Sequence, residues 1–423
     1  MKRYHALDTL RASMMLLGIW LHTVVGYSRD GGWPYKDAHP TSLFDWTLAV
    51  IHTFRMPIFF LMAGFFGALL WERGRGRFVE NRLKRILAPF ALFWVCMYPV
   101  VLWMAAWTKN WNHADGLARA TQFILSGAFL GGLHPLHMWF LEYLLILYAI
   151  AFVVAVAFEA GCRGRISSAI CAAINDWYRR ALGSRWRPAI FAIPSAGVLM
   201  LMRRAFLEDP PGFVPVPRIV LAYTVPFFFG WLLYRNRDLL DTFRRCAWRN
   251  VILAAVLFAA WETFLAPIQN RHEFWYWVKP LRAAAGSLFC WLLAFGLTGL
   301  ALRYFDAERP LGRYMADGSY WIYLMHMPVV ITFQMVLSPL PWSSAIKVVL
   351  VVALATITLV TSYDLLVRAT WVGALLNGRR YGRRYFGATI PTRAGLAPGW
   401  TLATRITSCS ASTGEITRAN TRS

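Results

Sequence analysis

Acidic residues are scarce in this chain. Asp and Glu number 21 among 423 residues, against 44 Lys and Arg, and charged residues of both signs together reach only 15%. Ordinary soluble domains carry about 25%, so the composition argues against one. Metal-type cysteine spacing is missing as well. Cys96, Cys162, Cys171, Cys246, Cys290 and Cys409 include no CxxC pair, which removes the usual zinc and thioredoxin-like signatures. Cys96 and Cys290 lie in apolar runs and the other four in segments assigned below to the cytoplasm, so free, reduced thiols are expected. No repeat of fixed short period occurs.

Apolar residues are plentiful instead. They make up 58% of the chain, with 21 Trp and 29 Phe, and they fall in runs of about 20 residues, the length a bilayer demands. The expected fold is all-α, a polytopic membrane protein with about ten spanning helices near 9–28, 46–70, 86–107, 138–158, 188–204, 216–234, 250–268, 283–303, 319–338 and 345–370. The fifth is short and holds Pro194 and Ser195, the mark of a broken helix. The segment 109–137 is too polar and Gly-rich to span.

The formal net charge is +23. The basic residues gather between apolar runs, so topology accounts for them and no nucleic-acid partner is expected. "WERGRGRFVENRLKR" alone holds six. Every second connection is strongly basic, which places those loops and both termini in the cytoplasm of a bacterial-type inner membrane. "MKRYHALDTLRA" imitates a signal peptide, but Asp8, Arg11 and His22 interrupt the pattern and no A-x-A site follows, so a retained first helix is expected. Residues 1–376 form the membrane domain. Residues 377–423 form a basic, largely disordered tail, whose "GRRYGRR" suits anionic inner-leaflet lipids.

Ionisable side chains inside the apolar runs mark function, because burying them in lipid is costly. Arg11 and His22 are eleven residues apart, so they share a helix face about 16 Å apart along the axis. Asp8 and Gly18 fall on that face too. Gly18 leaves an open groove between Arg11 and His22. A plainer reading has Asp8 and Arg11 as a rim pair and His22 bonded to a neighbouring helix. In "IHTFRMPIFF", His52 and Arg55 share a face beside Pro57. In "HPLHMWFLEYLL", His134 and His137 sit at the outer rim, and Glu142 one turn deeper needs Arg55 or a histidine as partner. In "DGSYWIYLMHMP", Ser319, Tyr323 and His326 line one face. Arg82, Lys84 and Arg85 gather with Arg11 at the cytoplasmic mouth. Cations at one mouth suit a polyphosphate, and a histidine deeper down suits general-base work on a hydroxyl.

The same residues resemble the membrane acyltransferase-3 family, whose signature is Arg or Lys, ten residues, then His; here these are Arg11 and His22. "RYHALDTLRA", "FFLMAGFF", "NRLKRILAP" with Arg82 and Arg85, "HMWFLEYLL" and "SYWIYLMH" follow in the family's order over roughly residues 3–372. Ala63 stands where many relatives have Ser. The wording is most similar to the branch linked to succinylation of periplasmic glucans. The resemblance implies acyl transfer from cytoplasmic acyl-CoA, acetyl or succinyl, to a hydroxyl of an extracytoplasmic glycan or glucan, with no permanently bound cofactor and no metal. It implies His22 as the base and Arg11, Arg82 and Arg85 as holders of the coenzyme A phosphates, with Asp8 orienting Arg11. Arg55 would then neutralise the developing oxyanion or a succinyl carboxylate, with Glu142 beside it. His52, Ser319, Tyr323 and His326 would line the substrate path. A multi-pass transporter or flippase of a glycan-related substrate is the alternative reading, and a non-catalytic scaffold a third.

Overall fold

The computed structural model describes residues 4–382 apart from 30, 31, 112, 162–164, 267–274 and 379. The described residues contain helices and turns and no strand. The main helices are α1 (His5–Val25), α2 (Ser42–Trp71), α3 (Arg75–Lys109), α4 (Gly116–Leu125), α5 (Trp139–Gly161), α6 (Arg165–Gly183) and α7 (Arg187–Leu199). They continue with α8 (Pro217–Arg235), α9 (Ala247–Leu265), α10 (Trp275–Tyr304), α11 (Pro310–Leu337), α12 (Ser344–Val367) and α13 (Trp371–Asn377).

Eight of these, α2, α3, α5 and α8–α12, are long and apolar enough to cross a membrane. The other two expected spans differ for separate reasons. α7 has 13 residues, about 20 Å of helix against a hydrocarbon core of about 30 Å. α1 has 21 residues, enough to cross, but Asp8, Arg11 and His22 lower its apolarity. α1 packs against α2, α10, α11 and α12, so its polar side chains face protein, where intramembrane charge is tolerated.

α2 and α8 form the tightest pair. A Cβ on Gly64 would overlap the Phe227 carbonyl, and one on Gly230 would overlap that of Leu61. Small residues allow this backbone approach, the usual device for packing helices in lipid. It explains the glycine of "FFLMAGFF". Next to it, the Ala63 carbonyl accepts a 2.9 Å hydrogen bond from the Tyr148 hydroxyl, so the polar contact here uses backbone and needs no serine.

Within segment 109–137 the longest helix, α4, has 10 residues, too few to cross alone, while residues 128–137 open the apolar stretch Ala128–Ala160. The segment folds into α4 and short 3₁₀ turns against α3, with Tyr98 Oη donating to the Phe129 and Gly132 carbonyls and Trp94 Nε1 to that of His134. The polar fourth-to-fifth connection holds α6, docked by Tyr178 Oη on the Phe229 carbonyl and by Arg179 on Asp238. Within α6, Cys171 is disulfide-bonded, whereas Cys96, Cys246 and Cys290 are free. The expectation of free thiols therefore fails at Cys171, because linear spacing says nothing about which sulfurs the fold brings together; Cys162 and Cys409 lie outside the described residues. Most of the expected tail, residues 383–423, lies outside the described residues.

Candidate active site

α1, α2, α11 and the turn preceding α5 converge on a small chamber. It takes in about 590 Å³, part of it open to solvent, and is bordered by His22, His52, Arg55, His137, Tyr323 and His326 among others. On one side it meets a vestibule of about 2510 Å³. Leu21, His22, His52, His137, Trp139 and Asp209 border both spaces. On the other side it meets a cavity of about 1310 Å³ lined by Arg11, Arg82, Arg85 and Ser319. Met15, Phe59, Phe140 and Tyr323 border both of those. Three spaces thus stand in line, with imidazoles at the waist and guanidiniums at one end.

Three imidazoles meet at that waist. The His22 ring is 4.9 Å from that of His326, which is 4.9 Å from that of His137. His326 Nδ1 lies 2.6 Å from the Tyr323 carbonyl, and His137 Nε2 lies 3.3 Å from that of Leu324. A carbonyl only accepts, so these nitrogens carry the protons in the neutral rings. The opposite nitrogens, His326 Nε2 and His137 Nδ1, are buried without hydrogen-bond partners. His22 makes no hydrogen bond among the described residues. It stacks on Trp33, 5.3 Å between centroids and 28° between planes. Trp33 Nε1 in turn donates to Gln334 Oε1 at 2.7 Å, and Gln334 Nε2 donates to the Thr23 carbonyl at 2.9 Å. His22 is therefore held by packing and left chemically open.

Arg55 occupies the groove beside Gly18, which the sequence suggested would be empty. A Cβ on Gly18 would lie 2.5 Å from Arg55 Nη1. The glycine makes room for the guanidinium, so the space along α1 belongs to a side chain from α2. Arg55 has no hydrogen bond or ion pair among the described residues, and its Nε is buried and unpartnered. Asp209, which borders the same chamber, acts on Arg55 electrostatically without contact. His52 Nε2 contacts the Leu207 carbonyl at 3.1 Å and lies 3.9 Å from Asp209 Oδ1.

At the basic end, Arg11 lies 3.6 Å from Asp8 and donates to the Ala316 carbonyl at 3.4 Å. Arg82 sits 4.0 Å from the Tyr148 ring centroid and has no ion pair among the described residues. Arg85 donates to the Leu375 and Ala374 carbonyls, at 3.1 and 3.4 Å, in the last turns of α13. A π-helical turn at Leu83–Leu87 interrupts α3 directly after Arg82. Such widened turns recur at functional sites, and here Arg82 and Arg85 face one cavity. Ser319 Oγ donates to the Ala316 carbonyl and Tyr323 Oη to that of His137.

Glu142 stands apart. It lines none of the three spaces. Its Oε2 is buried without a partner, and the expected pairing with Arg55 or a histidine is not present. One helical turn separates it from His137 in sequence, but His137 belongs to a 3₁₀ turn, Leu136–Met138, which breaks the helical phase. Leu136 there has φ of 54°, a left-handed conformation that side chains resist. That kink carries His137 inward. His137 as a chamber residue, Trp33, Gln334 and Asp209 were all missed from sequence. Only Gln334 left a signal, a lone amide in an apolar helix.

Comparison with known proteins fits this architecture. The acyltransferase-3 family model, described as an acyltransferase domain, matches residues 4–365. Two curated relatives, each named glucans biosynthesis protein C, come from Salmonella paratyphi B and Salmonella enteritidis. Each is 26% identical over 348 residues, spanning 80% of this chain and 85% of the relative. No solved structure matches. The chain thus belongs to the acyltransferase-3 family of membrane proteins, and it is an acyltransferase.

Proposed function

We propose that the protein moves an acyl group, acetyl or succinyl, from acyl-CoA at the basic cavity to a hydroxyl of a glycan or glucan in the vestibule. The supporting observation is the alignment of three spaces, with an unbonded His22 where they meet. On this reading the basic end faces the cytoplasm of a bacterial-type inner membrane, in keeping with its arginine-rich loops. Arg11, Arg82 and Arg85 hold the phosphates, which guanidiniums bind with paired, charge-assisted hydrogen bonds, and Asp8 orients Arg11. The thioester then lies past Ser319 and Tyr323 in the chamber.

His22 removes the proton from the acceptor hydroxyl as its oxygen bonds to the thioester carbonyl carbon. The carbonyl electrons move to oxygen, and Arg55 balances that negative charge. Collapse of the intermediate re-forms the carbonyl, breaks the carbon–sulfur bond and expels the thiolate. The proton on His22 passes to that thiolate, giving free coenzyme A and the glycan ester. His326, His137 and His52 line the acceptor approach.

His22→Ala is expected to lower acyl transfer about 10²–10⁴-fold, the usual worth of a general base, while the protein still inserts and elutes as wild type. Ester formation at the wild-type rate by purified His22→Ala protein would overturn the assignment. The aligned spaces alone would equally serve a carrier or flippase. Purified protein given acyl-CoA and acceptor in detergent distinguishes them, because a carrier forms no ester.

A further inference from the structure

A second cavity lies beside the proposed reaction path. It takes in about 1130 Å³, part of it open to solvent, between α2, α7, α8, α9 and α10. Its walls are mainly apolar: Leu199, Leu257, Phe258, Phe289 and Trp291 are representative. Two features are out of place for a mere packing gap. Ser287 is on the lining and is 1% exposed, and its Oγ has no hydrogen-bond partner, although buried hydroxyls are normally satisfied. Arg282 lies on the same wall with no ion pair among the described residues. Its guanidinium carbon lies 5.9 Å from the centroid of the Phe206 ring.

Arg282 also joins this cavity to its surroundings. It borders the vestibule and, with Arg203 and Arg204, a third depression next to both. The acids nearby are largely committed elsewhere. Glu208 bonds Arg218 and the Arg203 amide, and Asp209 lies against His52. Glu262 shares the wall but forms no ion pair with Arg282. An apolar slot thus ends in arginines that form no contact ion pair among the described residues, although Glu262 and Glu208 stand near enough to act on Arg282 and Arg203, with an unsatisfied hydroxyl part-way down.

We propose that this cavity binds one anionic glycerophospholipid: an acyl chain fills the slot, Ser287 donates to an ester carbonyl, and Arg282, Arg203 and Arg204 hold the phosphate at the vestibule margin. The order of groups matches such a lipid. Ser287 lies five residues along α10 from Arg282, about 7.5 Å of rise, with the apolar walls beyond. The occupant is distinct from the acyl donor and the glycan acceptor, and its headgroup forms part of the vestibule wall beside His52.

The test uses the full chain, purified from mixed vesicles of phosphatidylcholine and phosphatidylglycerol, with co-purifying lipid counted by native mass spectrometry. Wild type is expected to retain phosphatidylglycerol about tenfold above its bulk ratio, a modest return for charge-assisted phosphate contacts. Arg282→Gln with Arg204→Gln should bring the ratio to that of the bulk while leaving neutral lipid bound. Gly286→Phe is the steric arm. Gly286 lines the cavity, and a Cβ there meets nothing within 4 Å, so a bulky side chain can start into the slot and obstruct it. It should remove lipid of both kinds. A bulk lipid ratio on wild type, or full retention by Gly286→Phe, overturns the site. Neither readout depends on acyl transfer, so the lipid site and the proposed reaction stand or fall separately.

Discussion

Gly18 and Arg55 share one piece of space, and that makes their exchange informative. A methyl on Gly18 would stand 2.5 Å from Arg55 Nη1, and the obstacle is the far end of a flexible side chain, so the helix survives and the guanidinium moves. Removing a donor to a developing oxyanion outright costs about 10²–10³ in kcat. Gly18→Ala displaces the donor without deleting it, so its expected cost is smaller, about tenfold. KM for acyl-CoA should hold steady, since the phosphates bind elsewhere. Steady-state kinetics on purified protein check this, and an unchanged kcat would remove Arg55 from the chemistry. At Gly64 the obstacle is the Phe227 carbonyl, which cannot swing away. Gly64→Ala is expected to cost about 1–3 kcal/mol, as overpacking does, and to appear as a lower Tm with little change in the kcat of the surviving protein.

The connection between α1 and α2 acts as an element although it is neither helix nor strand. It carries Trp33 over His22 and is pinned at Asp37. Lys347 Nζ lies 3.0 Å from Asp37 Oδ2, Tyr35 Oη donates to the same oxygen at 2.9 Å, and the His39 amide donates to Oδ1 at 3.0 Å. Burial pushes the Asp37 carboxyl up, but the hydrogen bonds from His39, Lys347 and Tyr35 outweigh it, and the net direction is down. A depressed carboxyl stabilises the fold above its unfolded value, about 3.9, and loses that contribution as pH falls through the folded value. Acid below about pH 4 should therefore release this loop, while nothing from this pair changes between neutrality and pH 5. Asp37→Asn strands the buried Lys347 and is expected to cost about 3–5 kcal/mol. Adding Lys347→Met should recover part of that loss in a denaturant or thermal series. The helices themselves were legible because hydrophobic length is written directly in the chain. The site was legible where it rode on one helix, as Arg11 with His22 or Tyr323 with His326 does. It was not legible where aim depends on a kink or a loop. His137 is turned by the strained Leu136, Trp33 arrives on an irregular segment, and Glu142 is carried away from the chamber by the same break in phase.

Across the whole molecule the chemistry is polarised. Arg11, Arg82 and Arg85 gather at one end, imidazoles at the middle, and the widest space opens at the other end. Donor and acceptor affinities should therefore be separable by mutation. Arg82 is the sharpest probe at the donor end, since its recorded contacts are the Tyr148 and Phe78 rings and no carboxylate. Hydrogen bonds to charged groups are worth about 1.5–3 kcal/mol, so Arg82→Gln should raise KM for acyl-CoA about 10- to 100-fold. With kcat and acceptor KM unchanged, that pattern reports lost ground-state binding. Salt gives the second readout. Ionic strength screens phosphate contacts, so KM for acyl-CoA should climb with salt in wild type and climb less in Arg82→Gln. His52→Ala, at the opposite mouth, should do the reverse, shifting acceptor KM and leaving the donor's salt dependence alone. If Arg82→Gln instead shifted acceptor KM, the basic cavity would not be the donor's entrance, and the direction of transfer would have to be read the other way.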